Sequence, residues 1–238
     1  MDLSVVVPVF NECESIELLI DEITFSLKDI NYEIVIVDDN SSDNTLNTLD
    51  LIKSKNKKIR IIKHKQNYGQ SFAVRTGVRC AKAKWVATID GDGQNDPADI
   101  PNLYYALLKE NKSNLNVLIA GNRKKRRDSF LKKISSKYAN KIRAKILKDG
   151  APDTGCGLKL FSRDFFLELP HFNHMHRYVP ALYVANGGKV VSIEVNHRFR
   201  QKGFSKYGFN NRFWVGITDI FGVRWLQRRS KVTNYEEI

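Results

Sequence analysis

The strongest constraint in this chain is a coupling repeated three times: an apolar run of strand length ends directly in polar, chemistry-bearing residues. "LSVVVPVF" (residues 3–10) runs into Asn11 and Glu12, "YEIVIVDD" (32–39) ends on Asp38 and Asp39, and "WVATID" (85–90) ends on Asp90. Helical patterns lie between these runs. Leu18, Leu19 and Ile23 keep helical spacing after the first, and "SSDNTLNTLDLIK" opens with capping Ser and Asp residues before its own apolar positions. "KIRIIKH" reads as a further strand, followed by a glycine-punctuated helix over about 70–84. Another helix is predicted to start near Pro97, and "NVLIAG" (116–121) makes a fifth strand. This alternation predicts an α/β fold: a mainly parallel sheet with helices on both faces. Such sheets carry their chemistry at the carboxyl ends of the strands. Three strands therefore deliver polar groups to one edge.

Past residue 121 the pattern loosens. A basic helix over about 130–148 precedes "TGCGLKLF", a short helical stretch, a strand at 189–199 and an aromatic helix at 209–229. With 238 residues, no internal repeat and no low-complexity linker, the chain is expected to form one domain with a C-terminal appendage. Cys13, Cys80 and Cys156 form no C-x-x-C pair and are odd in number, which argues for a reducing compartment. No signal-peptide pattern opens the chain and no run of 18 apolar residues spans a bilayer. The expected location is the cytoplasm or the cytoplasmic face of a membrane.

The net charge of +13 is unevenly spread. Residues 123–148 hold twelve Lys or Arg against one acid, Asp128, and residues 201–231 hold seven against Asp219. Patches of this kind attract phosphates, whether of nucleic acid, anionic lipid or a phosphorylated substrate. A solvated helix face is the plainer reading for many of these lysines. Nucleic acid is disfavoured, because no helix-turn-helix, zinc, RRM or KH signature is present.

Asp90-x-Asp92-x-Gln94 is the sharpest local feature. Hard oxygen ligands two residues apart at a strand end suit Mg²⁺ or Mn²⁺, which leave coordination positions for water and substrate phosphates. A solvated Asp/Gly turn is the competing reading; an EF-hand is excluded because the later loop ligands are missing. Asp96 reads as the turn or N-cap before the Pro97 helix rather than a third acidic ligand. Asp38 and Asp39 point in different directions, so they suit hydrogen bonds to a nucleotide better than a shared proton, while Ser42 or Asp43 can cap the next helix.

"VVVPVFNE", "VDDNSSDNT", "NYGQSFAVRTG" and "DGDGQNDP", in this order and spacing, closely resemble glycosyltransferase family 2 enzymes of the GT-A fold. With "TGCGLKLFSR" and "GFSKYG" downstream, the chain looks like the polyprenyl-phosphate sugar synthases, which include dolichol-phosphate mannose synthase and bacterial enzymes that load undecaprenyl phosphate. The resemblance covers about residues 1–210. It implies a Rossmann-like nucleotide-binding GT-A domain over 1–208, with an amphipathic helix and tail at 209–238. It places Pro8, Asn11 and Glu12 in the nucleotide pocket, with Asp39 near the base and Asp90 beside the donor. Asp90, Asp92 and Gln94 match the metal site, so the implied cofactor is Mg²⁺ or Mn²⁺. Arg123 matches the arginine that meets the transferring or acceptor phosphate. Ser136, with Lys132 or Lys133, matches the lipid-phosphate site, and Arg198 or Arg200 with Ser205, Lys206 and Tyr207 match C-terminal phosphate contacts. Asp92, Arg123 and Ser136 are the implied catalytic set.

The chemistry supports a phosphate acceptor independently. A sugar hydroxyl needs a carboxylate base to attack, whereas a phosphate monoester, with its second pKa near 6, is about 90% dianionic at pH 7. Such an acceptor needs cations that position it for in-line attack on the anomeric carbon. Asp153 is the residue on which a hydroxyl-acceptor alternative depends, though beside Pro152 it can equally form a turn. A third alternative is a basic nucleic-acid- or lipid-binding module without activity.

His171, His174 and His176 have loop-like spacing and no nearby Cys, which favours structural or substrate-loop roles over zinc; Arg177 beside them is the better candidate for a functional contact. In the terminal helix Phe209, Phe213, Trp214, Ile217, Ile220, Phe221 and Trp225 share one broad face, with Arg224 and Arg228 near its end. Both core packing and an interfacial position on anionic lipid fit that pattern. The expected partners are a nucleotide-sugar donor (UDP favoured over GDP), a polyprenyl phosphate and an anionic membrane surface, with an integral membrane partner or homo-oligomer as further candidates. The expected place is peripheral, on the cytoplasmic face of the cell membrane.

Overall fold

The computed structural model describes residues 1–110, 116–123, 143–198 and 209–230, and the side chains of 209–215 are outside the described set. Seven strands form one sheet: β1 (Leu3–Val9), β2 (Tyr32–Asp38), β3 (Ile59–Lys63), β4 (Trp85–Thr88), β5 (Val117–Arg123), β6 (Lys159–Ser162) and β7 (Lys189–Val195). Their order is β3-β2-β1-β4-β6-β5-β7. Among the described residues the named helices are α1 (Ile16–Ser26), α2 (Thr45–Lys55), α3 (Gln70–Cys80), α4 (Ile100–Glu110), α5 (Arg163–Glu168), α6 (Val179–Ala185) and α7 (Phe209–Arg229).

Because side chains alternate across a strand, the continuous apolar runs of β1 and β2 supply both faces of the sheet. Leu3, Val5, Val7, Ile34 and Ile36 pack with α1, α2 and α4. Val6, Val35 and Val37 pack with α3, α5, α6 and α7 on the other side. The fit is close at Gly77 of α3, where an added Cβ would lie 2.3 Å from Val6 Cγ1.

β1 pairs in parallel with β2 on one side and with β4 on the other. The chain thus steps outward from β1 to β2 and β3, then returns to the far side of β1 as β4. That reversal opens a crevice at the carboxyl ends of β1 and β4, where open α/β sheets bind ligands. Asn11, Glu12, Asp90 and Asp92 all follow these two strands.

The sheet departs from the sequence reading at β6, which runs antiparallel to both β4 and β5. Its four residues open on Lys159, a charge at a fully enclosed position, and follow the glycines at 155 and 157, so neither length nor alternation marks a strand. β7 ends at Val195 rather than 199, and α3 stops at Cys80, four residues early, where Ala81 turns extended. Of the basic segment expected to be helical, residues 143–147 are helical and 124–142 lie outside the described residues. Arg143 is buried there, bonded to Ala151 O at 2.7 Å and to Thr154 Oγ1, and paired with Asp149 at 3.1 Å. One charge of the basic run is therefore internal.

Candidate active site

The loops after β1, β2 and β4 are tied to one another before any substrate is considered. Asn11 sits in the left-handed region (φ 54°), its amide donating to Ser41 Oγ at 2.9 Å and its Oδ1 accepting from Ser42 N at 2.7 Å. Glu12 N donates to Thr45 Oγ1 at 2.9 Å, and Ser15 Oγ lies 3.2 Å from Glu12 Oε2 and 3.1 Å from Gly91 O. Asp38 is enclosed and accepts from the Ser41 amide and hydroxyl. Asp39 turns onto the loop before α3, accepting from His64 Nδ1 at 2.7 Å, Tyr68 N at 2.9 Å and Gly69 N at 2.7 Å. It therefore fixes that loop beside the carboxyl end of β2.

Asp90 stands at the centre. Gln70 Nε2, at the start of α3, donates to Asp90 Oδ1 at 2.7 Å. An added Cβ on Gly157 would lie 2.2–2.4 Å from the carboxylate atoms of Asp90, so the chain approaches here as only glycine can. Burial, then the charge of Asp92, pushes the Asp90 carboxyl up to about 6, against the opposing pull of Lys159 and Arg123. Asp92 Oδ1 accepts from Gln94 N at 3.1 Å, closing the turn. Asp90 and Asp92 are two mutually repelling carboxylates, hard-oxygen donors of the kind that fits a divalent cation. Among the described residues, no three His, Cys, Asp or Glu side chains cluster as a metal site.

A raised Asp90 pKa has a thermodynamic sign. Between its ordinary value of 3.8 and about 6 the folded chain holds a proton that the unfolded chain has released. Ionised Asp90 therefore costs the metal-free fold stability as pH rises through 6, and a bound cation offsets that cost. Mn²⁺ is expected to raise the melting temperature clearly at about pH 7.5 and much less at about pH 5, read by thermal denaturation with and without the metal.

Behind Asp90 lies a cavity of about 320 Å³, lined by Pro8, Gln70, Arg123, Lys159 and Arg177 among others. Arg123 Nε and Nη2 grip Asp153 at 2.6 and 2.8 Å. Burial works against the Arg123 charge, but the Asp153 carboxylate more than compensates and holds the guanidinium protonated. Lys159, pushed below its usual value by burial, donates to the Thr154 and Cys156 carbonyls. Burial also pushes the Cys156 thiol up, which does not suit a nucleophile.

Asp96 caps the turn at Pro97–Asp99, accepting from Ala98 N at 3.0 Å. Arg198 Nη1 bonds both Glu22 oxygens at 2.8 and 2.6 Å, and Nη2 bonds Asp96 at 2.7 Å. Its backbone N donates to Gln94 O, so Arg198 clamps the turn after β4 from outside. His171 contacts Met175, His174 pairs with Asp219 and His176 meets Ser71, so the three histidines go to three different partners. Ser136, Lys132, Lys133, Arg200, Ser205, Lys206 and Tyr207 lie outside the described residues. Gln70, Gly157 and Lys159 had no role in the sequence reading; "NYGQ" and "TGCGLK" were its nearest signals.

The model of "Glycosyl transferase family 2" matches residues 4–169, well over half of the chain. The chain belongs to glycosyl transferase family 2. It is 34% identical over 234 residues, 96% of its length, to dodecaprenyl-phosphate galacturonate synthase of Rhizobium johnstonii, covering 68% of that protein. It is 34% identical over 211 residues, 87% of its length, to undecaprenyl-phosphate 4-deoxy-4-formamido-L-arabinose transferase of Proteus mirabilis, covering 63% of it. The chain thus spans about two thirds of these relatives. Glucosyl-3-phosphoglycerate synthase from Mycobacterium tuberculosis, solved with Mn²⁺, UDP and glucosyl-3-phosphoglycerate, superposes with a TM-score of 0.67 at 18% identity over 95% of this chain and 79% of that one. That likeness is one of fold, and the fold is GT-A.

Proposed function

We propose that this family 2 glycosyltransferase moves a sugar from a nucleotide-diphosphate donor, UDP in preference to GDP, to a polyprenyl phosphate, with inversion at the anomeric carbon. The observation that carries the reading is the fate of the acids around the cavity. Asp153, the acid on which the hydroxyl-acceptor alternative depends, is gripped by Arg123. Among the described residues Asp153 thus serves to fix a cation, which suits an acceptor already ionised. The names of both relatives, each a polyprenyl-phosphate sugar transferase, support the same substrate class.

Asp90, Asp92 and Gln94 would hold Mg²⁺ or Mn²⁺, which supplies charge for the departing nucleotide. Asn11, Glu12 and the Asp39 loop form the donor edge. Arg123, oriented by Asp153, meets the acceptor phosphate, with Lys132, Lys133 and Ser136 as its proposed companions. Arg200, Ser205 and Lys206 are proposed as further phosphate contacts; Arg198, committed to Glu22 and Asp96, contributes by holding the Gln94 turn. The phosphate oxygen attacks the anomeric carbon as the bond to the nucleoside diphosphate breaks. The test is transfer to undecaprenyl phosphate read by mass spectrometry. Product with the phosphate and none with undecaprenol or oligosaccharide supports the reading; the reverse pattern supports the hydroxyl alternative.

Asp153→Asn separates these mechanisms further. With a phosphate acceptor, loosening Arg123 is expected to raise the acceptor KM about tenfold, with the donor KM unchanged. With a hydroxyl acceptor the same change would remove the base, and kcat itself would collapse.

No helix of the described residues is long and apolar enough to cross a membrane. α7 packs through Val223, which is fully enclosed, and Gln227 Nε2 donates to Leu147 O at 2.8 Å. On its outer side Phe221 and Trp225 are 67% and 59% exposed, with Arg224, Arg228 and Arg229 beside them. Aromatics one turn apart, flanked by cations, fit the head-group layer of an anionic bilayer. The proposed place of action is the cytoplasmic face of the cell membrane. Phe221→Ala with Trp225→Ala is expected to weaken sedimentation with anionic vesicles about tenfold or more, without lowering the melting temperature. Unchanged vesicle binding points instead to a membrane protein or a second copy as the covering partner.

A further inference from the structure

One wall of the cavity is made by a turn that the reaction above leaves unused. Arg177 ends the 3-10 turn Met175–Arg177 and lines the same cavity as Asp90, Gln70 and Lys159. The other two cations there are matched, Arg123 by Asp153 and Lys159 by backbone carbonyls. The Arg177 guanidinium makes no hydrogen bond or ion pair to any described residue.

Its backbone is nevertheless pinned on several sides. His176 N donates to Ser71 Oγ at 3.2 Å, and Ser71 Oγ lies 2.7 Å from His176 Nδ1. That ties the turn to the residue next to Gln70, whose amide reaches Asp90. Met175 and Tyr178 flank Arg177 and are buried, and Tyr178 OH donates to Gly216 O of α7 at 3.2 Å. His174 Nδ1 lies 3.3 Å from Asp219 of the same helix. Val74, Phe166 and Val179 add apolar lining to the same cavity, together with His176. A pinned turn therefore brings Arg177, whose side chain meets no acid among the described residues, to the lining of a cavity at the lower end of the roughly 300–1,000 Å³ range of ligand pockets. A guanidinium in that setting presents a planar fork that matches carboxylate or phosphate oxygens two at a time.

We infer that Arg177 is a substrate-contacting residue that binds an oxyanion, either a carboxylate on the donor's sugar or the phosphate of the lipid acceptor. This rests on the proposed transferase reading. It goes beyond that reading by giving the cavity a selectivity element separate from Arg123. If the oxyanion is the sugar's, the chain selects a uronate over the neutral hexose; if it is the acceptor's, Arg123 and Arg177 hold the phosphate from two sides.

The test is calorimetric titration of the full chain with Mn²⁺, using UDP-galacturonate, UDP-galactose and farnesyl phosphate as probes, for wild type, Arg177→Gln and Arg177→Lys. Arg177→Gln is expected to weaken one oxyanion probe about 10–100-fold and leave UDP-galactose within about threefold. Arg177→Lys is expected to recover part of the loss, restoring charge without the fork. Loss confined to UDP-galacturonate assigns the sugar carboxylate, and loss confined to farnesyl phosphate assigns the acceptor. The inference is overturned if all three affinities stay within threefold, or if UDP-galactose weakens as much as the others, which marks a merely structural residue. A wild type that binds these probes but transfers no sugar counts against the proposed function, while the Arg177 comparison remains readable because it needs binding alone. A wild type that binds none of them overturns both.

Discussion

Asp92→Ala is expected to lower sugar transfer by about 10³-fold or more at every Mn²⁺ or Mg²⁺ concentration, an effect of about 4 kcal/mol on the barrier. Asp92 follows β4 by way of the Gly91 turn, and its charge is one of the two causes that raise the Asp90 carboxyl to about 6. Removing it lets the Asp90 carboxyl fall back toward its ordinary range but leaves one carboxylate where the cation would have two. Asp92→Asn supplies the control, because it keeps an acceptor for the Gln94 amide, now at 3.1 Å, and loses only the charge. The two variants should be about equally inactive if charge is what matters. Turnover at the wild-type rate in either variant, or in wild type with excess chelator, would refute the metal site.

Gly157→Ala should lower transfer about 100-fold or more in a chain that still folds. The added methyl would have to occupy space 2.2–2.4 Å from the Asp90 carboxylate atoms. Gly157 is itself held in place, since Thr88 Oγ1 donates to its carbonyl at 2.8 Å. Asp90 must therefore give way, and its bond from Gln70 goes with it. The measurement is the Mn²⁺-dependent rise in melting temperature together with kcat. Loss of both, with a circular dichroism spectrum like wild type, is the expected result; an unchanged metal response would show that Asp90 is not the group displaced.

Much of this site is written in local sequence. A strand whose apolar run stops at a carboxylate must deliver that carboxylate to the sheet edge, and β1, β2 and β4 each do so. The Asp96 cap and the helices on both faces follow from equally local rules of capping and periodicity. Pairings made across long stretches of chain are a different matter. Arg123 and Asp153 are thirty residues apart, and nothing in either segment says that the two pair. Lys159 illustrates the same limit. A charge opening a four-residue run argues against a buried strand, yet β6 wedges antiparallel between β4 and β5, where carbonyls and the nearby Asp90 receive the ammonium.

The sequence by itself determined the alternation of strands and helices, the edge at which chemistry gathers and the family to which the chain belongs. These depend on side-chain period and on motifs contiguous in the chain. Only the tertiary structure decided which groups face each other across the cavity. Gln70 and Gly157 close on Asp90, Asp153 pairs with Arg123, Arg198 with Glu22 and Asp96, and Arg177 lines the cavity with no acid partner among the described residues. Those relations arise where segments far apart in sequence pack together, and a charge acquires its role from the partner that packing gives it.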